Sequence, residues 1–180
     1  MTRILIVYGS SEGQTAEIAE AMAGIVREHG HEAVPMAVKE AAGEDLADYD
    51  GVLVGASVHI GKHDKHVVKF VQRNLAGLER LPSAFFSVSL AAHGDTEEAH
   101  RYVDEFTQQT GWDPAKVAIF SGALRYTKYG FVKRRMMKKI AEEKPGSLAT
   151  DTSRDHIYTE WDEVGRYAEE FLADLTTVQR

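Results

Sequence analysis

Short apolar runs recur along this chain, each followed by a turn and then by apolar residues at helical spacing, and this alternation leaves few folds open. Ile4 to Tyr8 is such a run; a Gly/Ser turn follows it, and then Ile18, Met22 and Val26 mark one face of a helix. Because the run is continuous rather than alternating, it reads as a strand buried on both faces. Glu32 to Met36 reads as a weaker strand and Gly51 to Ala56 as a strong one. Asp64 to Leu75 reads as a helix with Val67, Val68, Val71 and Leu75 together. Ser83 to Val88 and Val117 to Ser121 are two further strands, separated by a helix from about Thr96 to Gln109. Asp162 to Leu175 is a last amphipathic helix, with Thr159 and Asp162 expected as a capping pair. Strands that alternate with helices need right-handed crossovers, which cover both faces of a parallel sheet. The expectation is one α/β domain over residues 1–180, doubly wound, with five parallel strands in the order 2-1-3-4-5. Ligands of such sheets sit beyond the C-terminal strand ends, where the strand order reverses, so the loops after strands 1, 3 and 4 are where function is sought.

Composition narrows the chemistry. With 43% hydrophobic and 27% charged residues in 180, the chain can build a full core. It has no cysteine, which excludes disulfides, thiolate nucleophiles and cysteine-ligated iron–sulfur clusters; an organic cofactor fits that limit, and no metal site is expected. No run approaches the roughly 20 apolar residues of a membrane span, and no signal-peptide pattern is visible, so a cytoplasmic location is expected. A net charge of −7 argues against nucleic acid as a general partner.

The first candidate loop is Tyr8-Gly9-Ser10-Ser11-Glu12-Gly13-Gln14-Thr15. It gathers hydroxyls, glycines and an amide at a helix N-terminus, where free backbone N–H groups and a partial positive charge suit a phosphate without any lysine. Several readings compete for the same turn. It is a plain capped turn if Ser11 and Gln14 only satisfy the helix end. Gly9-Ser10-Ser11-Glu12-Gly13 also matches the G-x-S-x-G nucleophile elbow, with Asp151 or Asp155 and His156 in the order a hydrolase triad requires. A dinucleotide fingerprint would need G-x-G-x-x-G and an acidic end to strand 2, which Ala33 to Ala37 does not supply. A phosphoacceptor domain would need carboxylates where strands 1 and 3 end in Gly9-Ser10 and Ala56-Ser57.

Ser10, Gly13 and Thr15 match the first hydroxyl, the glycine and the last hydroxyl of the flavodoxin T-x-T-G-x-T phosphate motif, with Glu12 in place of the middle hydroxyl. Four more segments extend the likeness: Asp50-Gly51-Val52-Leu53-Val54-Gly55-Ala56-Ser57, Pro82-Ser83-Ala84-Phe85-Phe86-Ser87-Val88, Ser121-Gly122-Ala123-Leu124-Arg125-Tyr126 and Tyr158-Thr159-Glu160-Trp161. With them the chain resembles, over nearly its whole length, the bacterial menaquinone-dependent protoporphyrinogen IX dehydrogenase family. The resemblance implies a flavodoxin-like doubly wound five-stranded parallel sheet, noncovalent FMN, oxidation of a porphyrinogen to a porphyrin in haem biosynthesis, and transfer of the electrons to a membrane quinone. The other reading, a flavodoxin-type electron-transfer module that docks on protein partners, predicts acidic residues and stacking aromatics around the flavin.

On the FMN reading, Ser10, Ser11, Glu12, Gly13, Gln14 and Thr15 hold the phosphate. Ser57, Val58, His59, Ile60 and Gly61 flank one side of the flavin ring, and Ser89, Leu90, Ala91, Ala92 and His93 the other. Neither ring loop contains an aromatic residue, whereas His59, Lys62, His63 and His93 are expected nearby, where positive charge would favour an anionic reduced cofactor. The same side chains could equally form a solvent rim. His59 is the candidate to take a substrate proton, because imidazole titrates in the useful range.

From Arg125 to Lys139 the chain carries seven basic residues and no acidic one, against its overall negative charge. Val132, Met136 and Ile140 recur there at helical spacing, with Phe131 and Met137 beside them, which predicts an inserted basic amphipathic helix after strand 5. Arg125, Tyr126, Lys133, Arg134, Arg135 and Lys138 are the residues expected to meet substrate or an anionic membrane surface on the inner face of the cell membrane. The competing reading is a solvated surface helix whose apolar stripe packs on the core.

Overall fold

A computed structural model describes residues 1–144 and 148–178 of the chain. Five parallel strands, β1 (Arg3–Gly9), β2 (Glu32–Ala37), β3 (Gly51–His59), β5 (Ser83–Ser89) and β6 (Val117–Ser121), form the sheet in the order β2-β1-β3-β5-β6. This is the expected topology. The two-residue β4 (Lys62–His63) folds back antiparallel onto the end of β3, pairing Val58 with His63 and His59 with Lys62. β3 therefore runs three residues beyond its expected end at Ala56. The connecting turn, Ile60-Gly61, has positive φ at both residues (49° and 72°), which a two-residue hairpin turn requires.

Helices α1 (Gln14–Glu28) and α6 (Trp161–Val178) cover one face, burying Ile18, Met22 and Val26 with Val164, Phe171 and Leu175 against Ile4, Ile6, Leu53 and Phe86. Gly55 lies at the centre of this face because a Cβ there would run into the Phe86 ring. The other face is covered by α2 (Lys65–Arg73), α3 (Leu75–Arg80) and α4 (Thr96–Thr110), whose Val67, Val71 and Phe106 pack on Leu5, Val7, Val54 and Phe85. Phe85 and Phe106 stack at 4.2 Å between ring centres.

Two local expectations are corrected. The single helix expected over Asp64–Leu75 is two helices, because the Asn74 side-chain amide donates to the Phe70 carbonyl (2.9 Å) and ends the first of them. Thr159 does not cap α6. Its hydroxyl donates to the Ser121 carbonyl at the end of β6 and accepts from the Gln14 amide, both at 2.7 Å, tying β6 to the start of α1. The basic segment is a helix, α5 (Phe131–Glu143), between two strands that pair antiparallel, β7 (Ala123–Leu124) and β8 (His156–Ile157). Leu124, Tyr126, Tyr129, Ala141 and Leu148 give the insertion a small core of its own, separate from the two sheet faces.

Candidate functional site

The loops after β1, β3 and β5 converge on a cleft of about 400 Å³, and α5 with Leu148 forms its far wall. The first loop leads from β1 into α1. Gly13 takes a left-handed conformation (φ 93°) that turns the chain into α1, and the Gly13 N–H donates to the Ser10 hydroxyl at 2.9 Å, leaving that hydroxyl free to donate onward. The Thr15 hydroxyl lines the cleft and is almost fully buried, yet no group bonds to it. Among the described residues only one other buried side-chain polar atom lacks a partner, Nε of Arg125, whose Nη2 bonds Gln14 and lies 3.0 Å from Glu17. Buried polar atoms are normally paired, so an orphan hydroxyl at a helix N-terminus suits a phosphate. The donors here fit FMN, and Gln14 holds the loop to Thr159 from behind.

The second loop brings Ser57, Val58, His59, Ile60 and Gly61 into the wall, and the third brings Ser89, Leu90 and Ala91. Ile60 is 80% exposed and the only non-glycine residue with positive φ among those described. A β-branched side chain in that conformation stores strain, and here the strain projects an apolar side chain over the cleft mouth. His59 is exposed and lines the cleft. Ala92 and His93 do not line it: the Ala92 N–H donates to the Ser89 hydroxyl, and the His93 ring stacks on Tyr158 at 4.1 Å.

His63 is turned inward, against the expectation of a cation beside the cofactor. It bonds the Ser87 hydroxyl at 2.7 Å and meets Phe85 and Phe106 edge-on; burial lowers its pKa to about 4, so the ring is neutral.

The far wall contains Met136, Met137, Ile140, Lys144 and Leu148. Lys144 bonds Glu98 of α4 at 2.8 Å, closing the cleft mouth between the two helices, and this bond is the main reason the Glu98 carboxyl is held below its ordinary range. Tyr102 lies one turn after Glu98, its phenol pushed up by burial and then by the Glu98 carboxylate.

The hydrolase alternative has no assembled triad. Ser11 is exposed, while Asp151, Asp155 and His156 bond one another's segment and Thr127: His156 Nε2 is 2.8 Å from the Asp151 carbonyl oxygen, and Asp155 accepts from Thr127.

A flavodoxin-domain family model matches residues 5–151. The chain is 34% identical over 97% of its length to the protoporphyrinogen IX dehydrogenase [quinone] of Escherichia coli strain K12, of which it covers 96%. It is 31% identical over 95% of its length to the protein of that name from Leishmania major, covering 75% of it. The chain belongs to the protoporphyrinogen IX dehydrogenase family. It is an oxidoreductase of that flavodoxin-domain family, and the flavodoxin domain makes it a flavin-binding protein. A flavodoxin from the domain Archaea, at 16% identity, shares the fold with a TM-score of 0.57 over 97% of this chain and 99% of that one.

For a member of this family, the placement of the basic residues is informative. Arg125 is only 8% exposed and does not line the cleft. Tyr126 is buried, its hydroxyl donating to the Ala149 carbonyl. Arg134 donates to the carbonyls of Tyr126 and Tyr129, and Lys133 pairs with Glu12. Arg135, Lys138 and Lys139 remain exposed, beside Phe131 and Val132, which are 76% and 79% exposed. The apolar stripe is therefore split, its Met137 and Ile140 end in the cleft and its Phe131 and Val132 end in solvent. Sequence reasoning missed Tyr102, Glu98, Tyr129 and Lys144. The (i, i+4) spacing of Glu98 and Tyr102 was a usable signal for one face of α4, whereas nothing local pointed to Lys144.

Proposed function

We propose that this protein binds FMN in the cleft and uses it to oxidise protoporphyrinogen IX to protoporphyrin IX, passing the electrons to a membrane quinone. One observation carries the reading: the loop with the orphaned Thr15 hydroxyl opens, within a single cleft, onto the apolar wall of α5. The names of the relatives from E. coli and L. major support the substrate and acceptor. Bound FMN would supply a two-electron hydride acceptor, so the six-electron oxidation of the porphyrinogen to the porphyrin would take three rounds, each passing two electrons on to one quinone. The Ser10 and Thr15 hydroxyls, with the free N–H groups of the first turn of α1, hold its phosphate, and Ile60 and Leu90 bracket its ring. Met136, Met137, Ile140 and Leu148 present a water-excluding face to the tetrapyrrole. His59, on the cleft rim, takes a pyrrole proton.

No helix among the described residues is long and apolar enough to cross a membrane. The exposed Phe131 and Val132 beside Arg135, Lys138 and Lys139 rest on the anionic inner face of the cell membrane, where a quinone can reach the cleft from lipid. The test is anaerobic mixing of the FMN-loaded protein with protoporphyrinogen IX. The flavin absorbance in the blue is expected to bleach while porphyrin fluorescence appears, and a flavin that stays oxidised overturns the proposal.

A further inference from the structure

Glu12 interrupts a run of neutral donors at the point where a phosphate dianion is expected, and two anions in contact would weaken binding. In the folded chain that carboxylate is not bare. The Tyr129 hydroxyl donates to one oxygen at 2.9 Å, itself accepting from the Arg125 N–H, and the Lys133 ammonium donates to the other oxygen at 2.8 Å. Lys128 Nζ donates to the Glu12 backbone carbonyl at 3.3 Å and lies 3.6 Å from where a Cβ on Gly13 would be. Every partner comes from the insertion, more than a hundred residues along the chain. Lys133 also sits 4.8 Å from the centre of the Tyr129 ring, which fixes its stem. Two ammonium groups thus reach the loop, one on the Glu12 carboxylate and one on its backbone carbonyl beside Gly13, so one positive charge there has no carboxylate of its own, two to three residues before the buried, unpartnered Thr15 hydroxyl.

We propose that Lys128 and Lys133 belong to the phosphate site of the cofactor, that Glu12 is the positioning residue that holds them there, and that phosphate in the loop and α5 on the loop therefore stabilise each other. This rests on the FMN reading above. Apart from the loop, α5 is held by the Arg134 bonds to the Tyr126 and Tyr129 carbonyls and by Lys144 on Glu98, with Ala141 the one buried residue of the helix among those described. A dianion entering the loop adds a second attraction for both lysines and draws the insertion down. By linkage, a docked insertion raises the affinity for the phosphate by the same factor. Glu12 is then not a weakened hydroxyl position but the means by which a neutral phosphate loop recruits cations from a distant segment.

Riboflavin, which carries the same ring without the phosphate, separates this effect from ring binding. FMN and riboflavin are titrated into flavin-free protein by fluorescence quenching, and docking of α5 is read from the rate of tryptic cleavage at Arg135, Lys138 and Lys139. In the parent, FMN is expected to slow that cleavage roughly tenfold and riboflavin not at all. Lys128→Gln with Lys133→Gln should lower FMN affinity roughly tenfold, leave riboflavin unchanged and abolish the protection. Lys128→Arg with Lys133→Arg should retain the preference. Glu12→Gln should speed cleavage in the flavin-free protein and weaken the protection by FMN. Should the glutamine pair bind neither flavin, the salt response of the parent decides: FMN affinity must fall with ionic strength while riboflavin affinity does not. A parent that binds FMN but shows the same FMN-to-riboflavin preference in the glutamine pair, or at high salt, overturns the proposal alone. A parent that binds no FMN overturns the cofactor reading and this proposal with it.

Discussion

At the scale of single residues, the proposed phosphate loop holds a buried hydroxyl that no protein group satisfies. A buried hydroxyl without a partner is worth about 1–3 kcal/mol of instability, and Thr15 has one at the start of α1. Thr15→Val keeps the shape and removes the hydroxyl, so its two effects should have opposite signs. The flavin-free protein should gain roughly 1 kcal/mol in urea denaturation, and FMN affinity should fall roughly ten- to hundredfold, the worth of one charge-assisted hydrogen bond. A loss of both stability and affinity would mean that Thr15 is a packing residue rather than a phosphate donor. Arg125 carries the complementary lesson. Its resemblance-based role was a contact with substrate, yet its guanidinium reaches back to Gln14 and Glu17, because the side-chain oxygens on the first turn of α1 accept from it within the fold.

At the scale of elements, α5 divides its charges between two tasks. Lys133 and Arg134 are tied to Glu12 and to the carbonyls that close the turn before the helix, whereas Arg135, Lys138 and Lys139 touch nothing charged among the described residues. Reversing the first pair would detach the helix; reversing the second group tests its outer face alone. Arg135→Glu, Lys138→Glu and Lys139→Glu together should cut sedimentation with phosphatidylserine vesicles by more than roughly a hundredfold, since each basic residue near such a surface contributes about 1 kcal/mol. Bound FMN and thermal midpoint should not move, because these side chains lie outside the cleft wall. Unchanged sedimentation would leave α5 as a solvated helix with two exposed apolar residues. Just past the end of this helix, Lys144 and Glu98 of α4 make a charged contact across the cleft mouth, so the insertion is fastened at both ends by ion pairs and between them by few buried groups.

At the scale of the whole molecule, the β3–β4 hairpin, β5 and α4 meet at His63, and their packing makes folding stability depend on pH. The folded pKa of about 4 lies below the ordinary 6.5 because burial disfavours the cation. Between about pH 6.5 and 4 the unfolded chain holds a proton that the native ring refuses, so this residue's contribution is full above that window and is lost as the pH falls through it. From pH 7 to pH 5 the expected loss is roughly 2 kcal/mol. In His63→Phe the pH slope in this window should shrink by that amount, whatever the offset from losing the Ser87 bond, as read from urea midpoints at both pH values. An unchanged slope would mean that His63 titrates normally.

The chain's own pattern determined the order and type of nearly every element. It also determined the strand order and which loops meet at the C-terminal strand ends, because apolar periodicity, glycine turns and right-handed crossovers act within a few residues or within one βα unit. Even the two-residue overreach of the helix expected to Leu75 came from a local competition at Asn74. Only the tertiary structure decided which way the polar side chains point: His63 inward to Ser87, Thr159 to Ser121 and Gln14, Arg125 to the back of the loop, and Lys133 and Tyr129 to Glu12. Each of those orientations is fixed by a partner between about twenty and more than a hundred residues away. A hydrogen bond or ion pair leaves no periodic trace along the chain, so its direction is settled when packing removes water from both partners.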